Sequence, residues 1–146
     1  MEIDDQSFEI KSSGDFIRIK VISFAHPEAE GYDRSWLRSS VDINAGAFAG
    51  GYIADFQTSD FELLNRDLKR LSLALKGQAS FRPLESQLEF DILGDGLGHF
   101  EIQCMAREYA GHGSQLSFTL NIDQTDLPQV IYQLNQIVDR FPRTSY

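Results

Sequence analysis

Between Leu93 and Phe141 the hydrophobic period of the chain changes once, from two residues to about 3.6, and few folds accommodate that change. Leu93-Gly94-Asp95-Gly96-Leu97-Gly98-His99 reads as a glycine-rich turn. Two alternating segments follow, Gly98–Arg107 and Gln115–Asp123. In the second, Leu116, Phe118, Leu120 and Ile122 alternate with Ser117, Thr119 and Asn121. Ile122-Asp123-Gln124-Thr125-Asp126-Leu127-Pro128 then converts strand to helix, with Thr125 as the expected N-cap. Pro128 falls in the first turn, where a missing N–H costs nothing. Leu127, Val130, Ile131, Leu134, Ile137, Val138 and Phe141 form one apolar stripe, and Pro142 ends it.

The preceding two thirds follow the same grammar. Strands are expected at Ser7–Ile10 and Phe16–Ser23, joined by the turn Ser12-Ser13-Gly14-Asp15. A loop from Ala25 to Ser35 leads to strands at Leu37–Ala45 and Ala47–Phe56. Gly50-Gly51 inside the latter suggests a bulge or a close backbone approach, since no phosphate-binding glycine pattern surrounds it. Ser59 and Glu62 have the spacing of a capping box. Phe61, Leu64, Leu68, Leu71 and Leu75 then share one helical face up to Gly77. Gln78–Arg82 and Gln87–Leu93 complete the strands. The fold class expected is α+β: a mostly antiparallel sheet of six to eight strands, with two long amphipathic helices packed on one face. Phe56-Gln57-Thr58-Ser59-Asp60-Phe61 and Asp123-Gln124-Thr125-Asp126-Leu127 echo each other at the two strand-to-helix junctions. Two copies of a strands-plus-helix repeat would produce that echo, and so would chance likeness between capping sequences.

At 146 residues the chain suits one globular domain, 1–146, with loose ends at 1–6 and 143–146. Its 22 acidic and 13 basic residues give a formal net charge of −9. Such a chain repels phosphate backbones, and no basic stripe offsets this, so nucleic acid is not an expected partner. Met1-Glu2-Ile3-Asp4-Asp5 lacks the apolar core of a signal peptide, and no apolar run spans a bilayer. A cytoplasmic protein with no membrane contact is therefore expected.

Catalytic chemistry finds little purchase. His26, His99 and His112 lie outside familiar zinc spacings, and the last two are expected at opposite ends of a hairpin. Cys104, the one cysteine, alternates onto the apolar side of its strand. Glu89 and Asp91 share a strand face and could imitate a paired-carboxylate site, though a solvated strand face explains them more simply. No metal, cofactor or catalytic residue is assigned. Asp42, Glu89, Asp91, Asp95 and Glu101 are expected on polar strand faces and turns, where they would make an acid-rich docking surface for a basic protein.

At Gly94-Asp95-Gly96-Leu97-Gly98-His99, and again at Ile122-Asp123-Gln124-Thr125-Asp126-Leu127-Pro128, the chain resembles the WapI-like immunity proteins of bacteria. The likeness extends to Trp36-Leu37 and Ala45-Gly46-Ala47-Phe48. It implies a cytosolic antidote, in contact-dependent inhibition, that binds and blocks a toxin domain, often a nuclease, and needs no catalytic residues. Two alternatives accompany this expectation. One is a small ligand-binding or housekeeping domain, with a pocket formed by Trp36, Tyr32 and Phe48. The other is a metal-assisted hydrolase using Asp95 and His99 or the pair Glu89 and Asp91.

Overall fold

The computed structural model describes residues 6–143. Of the ends expected to be loose, 1–5 and 144–146 lie outside the described residues. Gln6 donates its side-chain amide to the Val21 carbonyl at 2.6 Å, and Arg143 lies 3.5 Å from the Glu62 carboxylate.

Four strands open the chain: β1 (Ser7–Ser12), β2 (Asp15–Phe24), β3 (Trp36–Ala45) and β4 (Phe48–Gln57). Helix α1 (Thr58–Ala74) follows. Then come β5 (Lys76–Phe81), β6 (Leu88–Asp95), β7 (His99–Tyr109), β8 (His112–Asp123) and helix α2 (Leu127–Arg140). The eight strands form two antiparallel meanders, β1-β2-β3-β4 and β5-β6-β7-β8, rather than the one sheet expected. Alternation along a strand says which side is buried but is silent about which strands share a ladder. Here α1 intervenes between β4 and β5, and among the described residues β5 pairs only with β6.

Each sheet turns its apolar rows toward one common core. Phe8, Ile19 and Val41 stand in register on the first sheet, and Ile92, Ile102 and Leu120 on the second. Phe56 of β4 meets Phe81 of β5 with ring centroids 5.2 Å apart. Phe61 of α1 lies between the sheets' aromatic rings, 6.0 Å from Phe56, 5.6 Å from Phe81 and 6.2 Å from Phe8.

The helices bury the stripes that their periodicity requires: Phe61, Leu64, Leu68 and Leu71 in α1, and Leu127, Val130, Leu134 and Ile137 in α2. They touch each other through an Asn65–Asn135 side-chain hydrogen bond of 2.6 Å. α1 packs against β5 and α2 against β1. There Gln133 accepts the Glu9 backbone N–H at 2.9 Å, so α2 covers part of the free edge of β1.

Three helix boundaries differ from expectation. The capping box of α1 uses Gln57 and Asp60 rather than Ser59 and Glu62, because β4 pairs with β3 through Gln57 and the chain leaves the sheet only there. α1 ends at Ala74, with Leu75 instead of a glycine in the left-handed region at φ 62°. At α2 the cap position is Asp126. Thr125 instead folds back, its hydroxyl and N–H both donating to the Asp123 carboxylate.

Candidate partner-binding surface

The outer face of the second sheet carries most of the carboxylates singled out by sequence. Register sets Phe81 opposite Phe90, so Arg82, one residue beyond β5, arrives beside Glu89 and Asp91. Its two terminal nitrogens reach Glu89 at 2.8 Å and Asp91 at 2.6 Å. Ser80 donates to the other Asp91 oxygen at 2.8 Å, and Gln78 donates to Ser80 at 2.9 Å. Partial burial alone would raise the Asp91 carboxyl, but hydrogen bonds from Arg82 and Ser80 and the guanidinium charge hold it below its ordinary value. Gln103 donates to Glu101 at 2.8 Å. Arg82, Glu89, Asp91, Gln103, Met105 and Thr119 line a shallow trough of about 600 Å³ on this face. Sequence reading missed Arg82. The signal was present, since the β5–β6 hairpin brings that cation against the Glu89–Asp91 face.

Asp95 stands at the end of β6 and performs a local task. It accepts the N–H groups of Leu97 at 2.7 Å and His99 at 3.2 Å and lies 3.0 Å from His99 Nδ1. The Leu97 amide is the main reason its carboxyl sits below the usual range. Asp123, opposite His99 in register, is lowered chiefly by the Thr125 hydroxyl. The turn itself is clamped on both sides: Gly96 N–H donates to the Leu75 carbonyl and Gln124 N–H to the Gly98 carbonyl, each at 2.8 Å. A Cβ on Gly94 would lie 2.5 Å from that same Leu75 oxygen. The glycine-rich motif thus locks the β6–β7 hairpin onto the end of α1 and the start of α2.

Asp42 is elsewhere. It is exposed on the outer face of the first sheet, in register with Gly51, and its carboxylate lies over the space that a Gly51 side chain would take. Arg18, in register with Asp42 on β2, turns to Glu9 instead, with Nε to Oε2 at 2.6 Å. The carboxylates therefore do not share the single acid-rich surface expected: Glu89, Asp91 and Glu101 sit together, Asp95 caps a turn beside them, and Asp42 belongs to the other sheet. Division of the strands between two sheets is the physical reason.

The other candidate sites are also dispersed. Tyr32 and Trp36 meet edge to face at 6.4 Å, but Phe48 lies at the opposite end of the β3–β4 ladder, so the three do not line one pocket. His99 and His112 stand at opposite ends of the β7–β8 ladder. Cys104 is buried on the apolar side of β7, which pushes its thiol up. Among the described residues, no three His, Cys, Asp or Glu side chains group to hold a metal ion. Nor is any helix among them long and apolar enough to cross a membrane.

A family model described as the immunity protein WapI-like family matches residues 7–142, from the first residue of β1 to just beyond α2. No curated protein matches the chain.

Proposed function

Because the chain belongs to the WapI-like immunity protein family, we propose that it neutralises a bacterial toxin domain by binding it in a stoichiometric complex. The observation that carries this reading is the extent of the family match, which spans both sheets and both helices. The toxin is a basic protein of the nuclease type. A nuclease must grip phosphates, and a partner with a net charge of −9 is drawn to the same cationic surface. Charge steering raises association rates by roughly 10–10³. Asp42, Glu89, Asp91, Asp95 and Glu101 supply part of that field. Asp42 and Glu101, exposed and not bound by a cation among the described residues, contribute more than the pair held by Arg82. The protein acts in the cytoplasm as one folded domain, without cofactor or catalysis.

Co-expression with the toxin domain encoded beside the gene tests the reading. Growth rescue, and a purified complex of fixed stoichiometry by light scattering, are expected. The association rate should fall about tenfold or more between 50 and 300 mM salt. Absence of both rescue and complex would end the proposal.

A further inference from the structure

The sequence singles out Gly50-Gly51; the Asp42 carboxylate crowds the space over Gly51, but no such crowding accounts for Gly50. β4 is the last strand of its sheet, and Phe48, Ala49, Gly50 and Gly51 are all exposed. The hairpin loop has two residues, with Gly46 at φ 61°, so Ala45 and Phe48 form a hydrogen-bonded pair. Alternation then points the N–H and C=O groups of Ala49, Gly51 and Ile53 away from β3. The Ile53 carbonyl indeed accepts from Gln87, at 3.4 Å. Ala49 and Gly51 have no such cover among the described residues. Strand edges are ordinarily protected by charge, proline or a covering element, as α2 covers β1 through Gln133. The stretch from Phe48 to Gly51 has none of these.

Two further features adjoin this edge. On the inner side, a cleft of about 480 Å³ separates it from the β7–β8 hairpin. Ile43, Phe48, Tyr52, Ala106 and Leu116 give it an apolar lining, which holds one carboxylate, Glu108, and no cation. Gly50 leaves this wall open, since an added Cβ would meet nothing within 4 Å. On the outer side Gly51 has no side chain, and the Asp42 carboxylate reaches over it toward the edge.

We propose that the free edge of β4 at Ala49–Gly51 receives an extended segment of the partner, in which apolar and basic side chains alternate. Backbone pairing supplies the affinity, as in strand addition generally, while successive side chains fall on opposite faces. Apolar ones enter the cleft beside Phe48 and Leu116, and basic ones pass over Gly51 to Asp42. The choice of a basic partner rests on the immunity reading; the edge and the cleft do not.

The test titrates the full chain with a capped heptapeptide of alternating lysine and leucine, following amide and methyl NMR signals. Companion peptides carry glutamate for lysine or serine for leucine. Only the first should bind, shifting the Ala49 and Gly51 amides and the Ile43 and Leu116 methyls. Gly50→Leu, which fills the cleft, and Ala49→Pro, which removes an outward N–H, should each weaken binding about tenfold or more while melting within a few degrees of wild type. Equal binding of the glutamate peptide, shifts confined to the second sheet, or self-association through β4 would overturn the proposal. The neighbouring toxin domain separates the two ideas. If it binds wild type and both variants within threefold, the edge is wrong and the immunity reading stands. If it ignores wild type, the immunity reading fails and the peptide titration alone decides the edge.

Discussion

Phe48 and Phe56 lie on the same strand, on the same side of the same sheet, eight residues apart, and their fates differ completely. Phe56 is 1% exposed and Phe48 is 64% exposed. Nothing in the local pattern distinguishes them. The difference comes from what stands opposite. Phe56 faces the aromatic centre, where Phe61, Phe81 and Phe90 are each buried and Phe81 stacks on Phe90 at 5.2 Å. Phe48 faces a cleft whose opposite wall carries Ala106 and Leu116 and no aromatic ring. Alternation chooses a face; the opposing wall determines whether that face contributes to stability or remains available for binding.

The comparison is most open to attack through the rings themselves. Phe61→Ala should cost about 3–5 kcal/mol in urea unfolding, since it empties the junction of α1 with both sheets. Phe48→Ala should change stability by no more than about 0.5 kcal/mol. Similar losses at the two positions would show that the hairpin corner is packed in solution and the cleft is closed.

A finer contrast uses the same substitution at two strand glycines. Gly94→Ala forces a methyl to within 2.5 Å of the Leu75 carbonyl and 2.9 Å of the Phe100 ring, neither of which can easily retreat. A loss of roughly 1–3 kcal/mol is expected. Gly50→Ala meets open space and should be neutral or gain a few tenths, about 0.4–1 kcal/mol at most, by restricting the unfolded chain. Differential scanning calorimetry on the pair measures both, and a penalty at Gly50 would contradict the open wall.

The start of α1 separates two readings of one sequence. Gln57→Ala removes the side-chain cap and should cost about 1 kcal/mol by thermal or urea unfolding. Ser59→Ala should cost much less, because Ser59 already lies within the helix. The reverse ranking would restore the box built on Ser59 and Glu62.

That pair also shows where sequence reading stops. The existence of every strand and both helices was legible, because each is a local statement about which side of a short segment avoids water. The cap was misplaced because Ser59/Glu62 and Gln57/Asp60 have identical spacing. Only the last β3–β4 pair, Trp36 with Gln57, decides between them. The number of sheets was hidden for a similar reason: Phe81 and Phe56 alternate correctly whether they share a ladder or face each other across a core. Among the candidate site residues, the neighbourhood of Glu89, Asp91 and Glu101 was legible from parity together with the glycine-rich turn that joins β6 to β7. Asp42 was assigned to the same surface only through the mistaken single sheet. The cleft at Gly50 could not have been read, since it depends on the spacing between two hairpins distant in sequence.

The smallest expected effect belongs to the outer face, where contacts are half in water. Asp91 titrates below its unfolded value of 3.8, so its contribution is present above that pH. It is lost as the pH falls through the lower folded value. Arg82 is 56% exposed, so the clamp on Glu89 and Asp91 is worth only about 0.2–1 kcal/mol at neutral pH. Arg82→Met should therefore lower stability by that amount at pH 7. The gap should close as the pH falls through the lowered folded value of Asp91, where its protonated carboxyl no longer requires a cation. The Asp91 carbon resonance in the variant should titrate at higher pH than in wild type, because burial then acts without its largest opposing partner. A gap still present once the Asp91 resonance shows full protonation would assign the loss to packing of the Arg82 stem rather than to its charge. The outer face would then owe more to apolar contact than its carboxylates suggest.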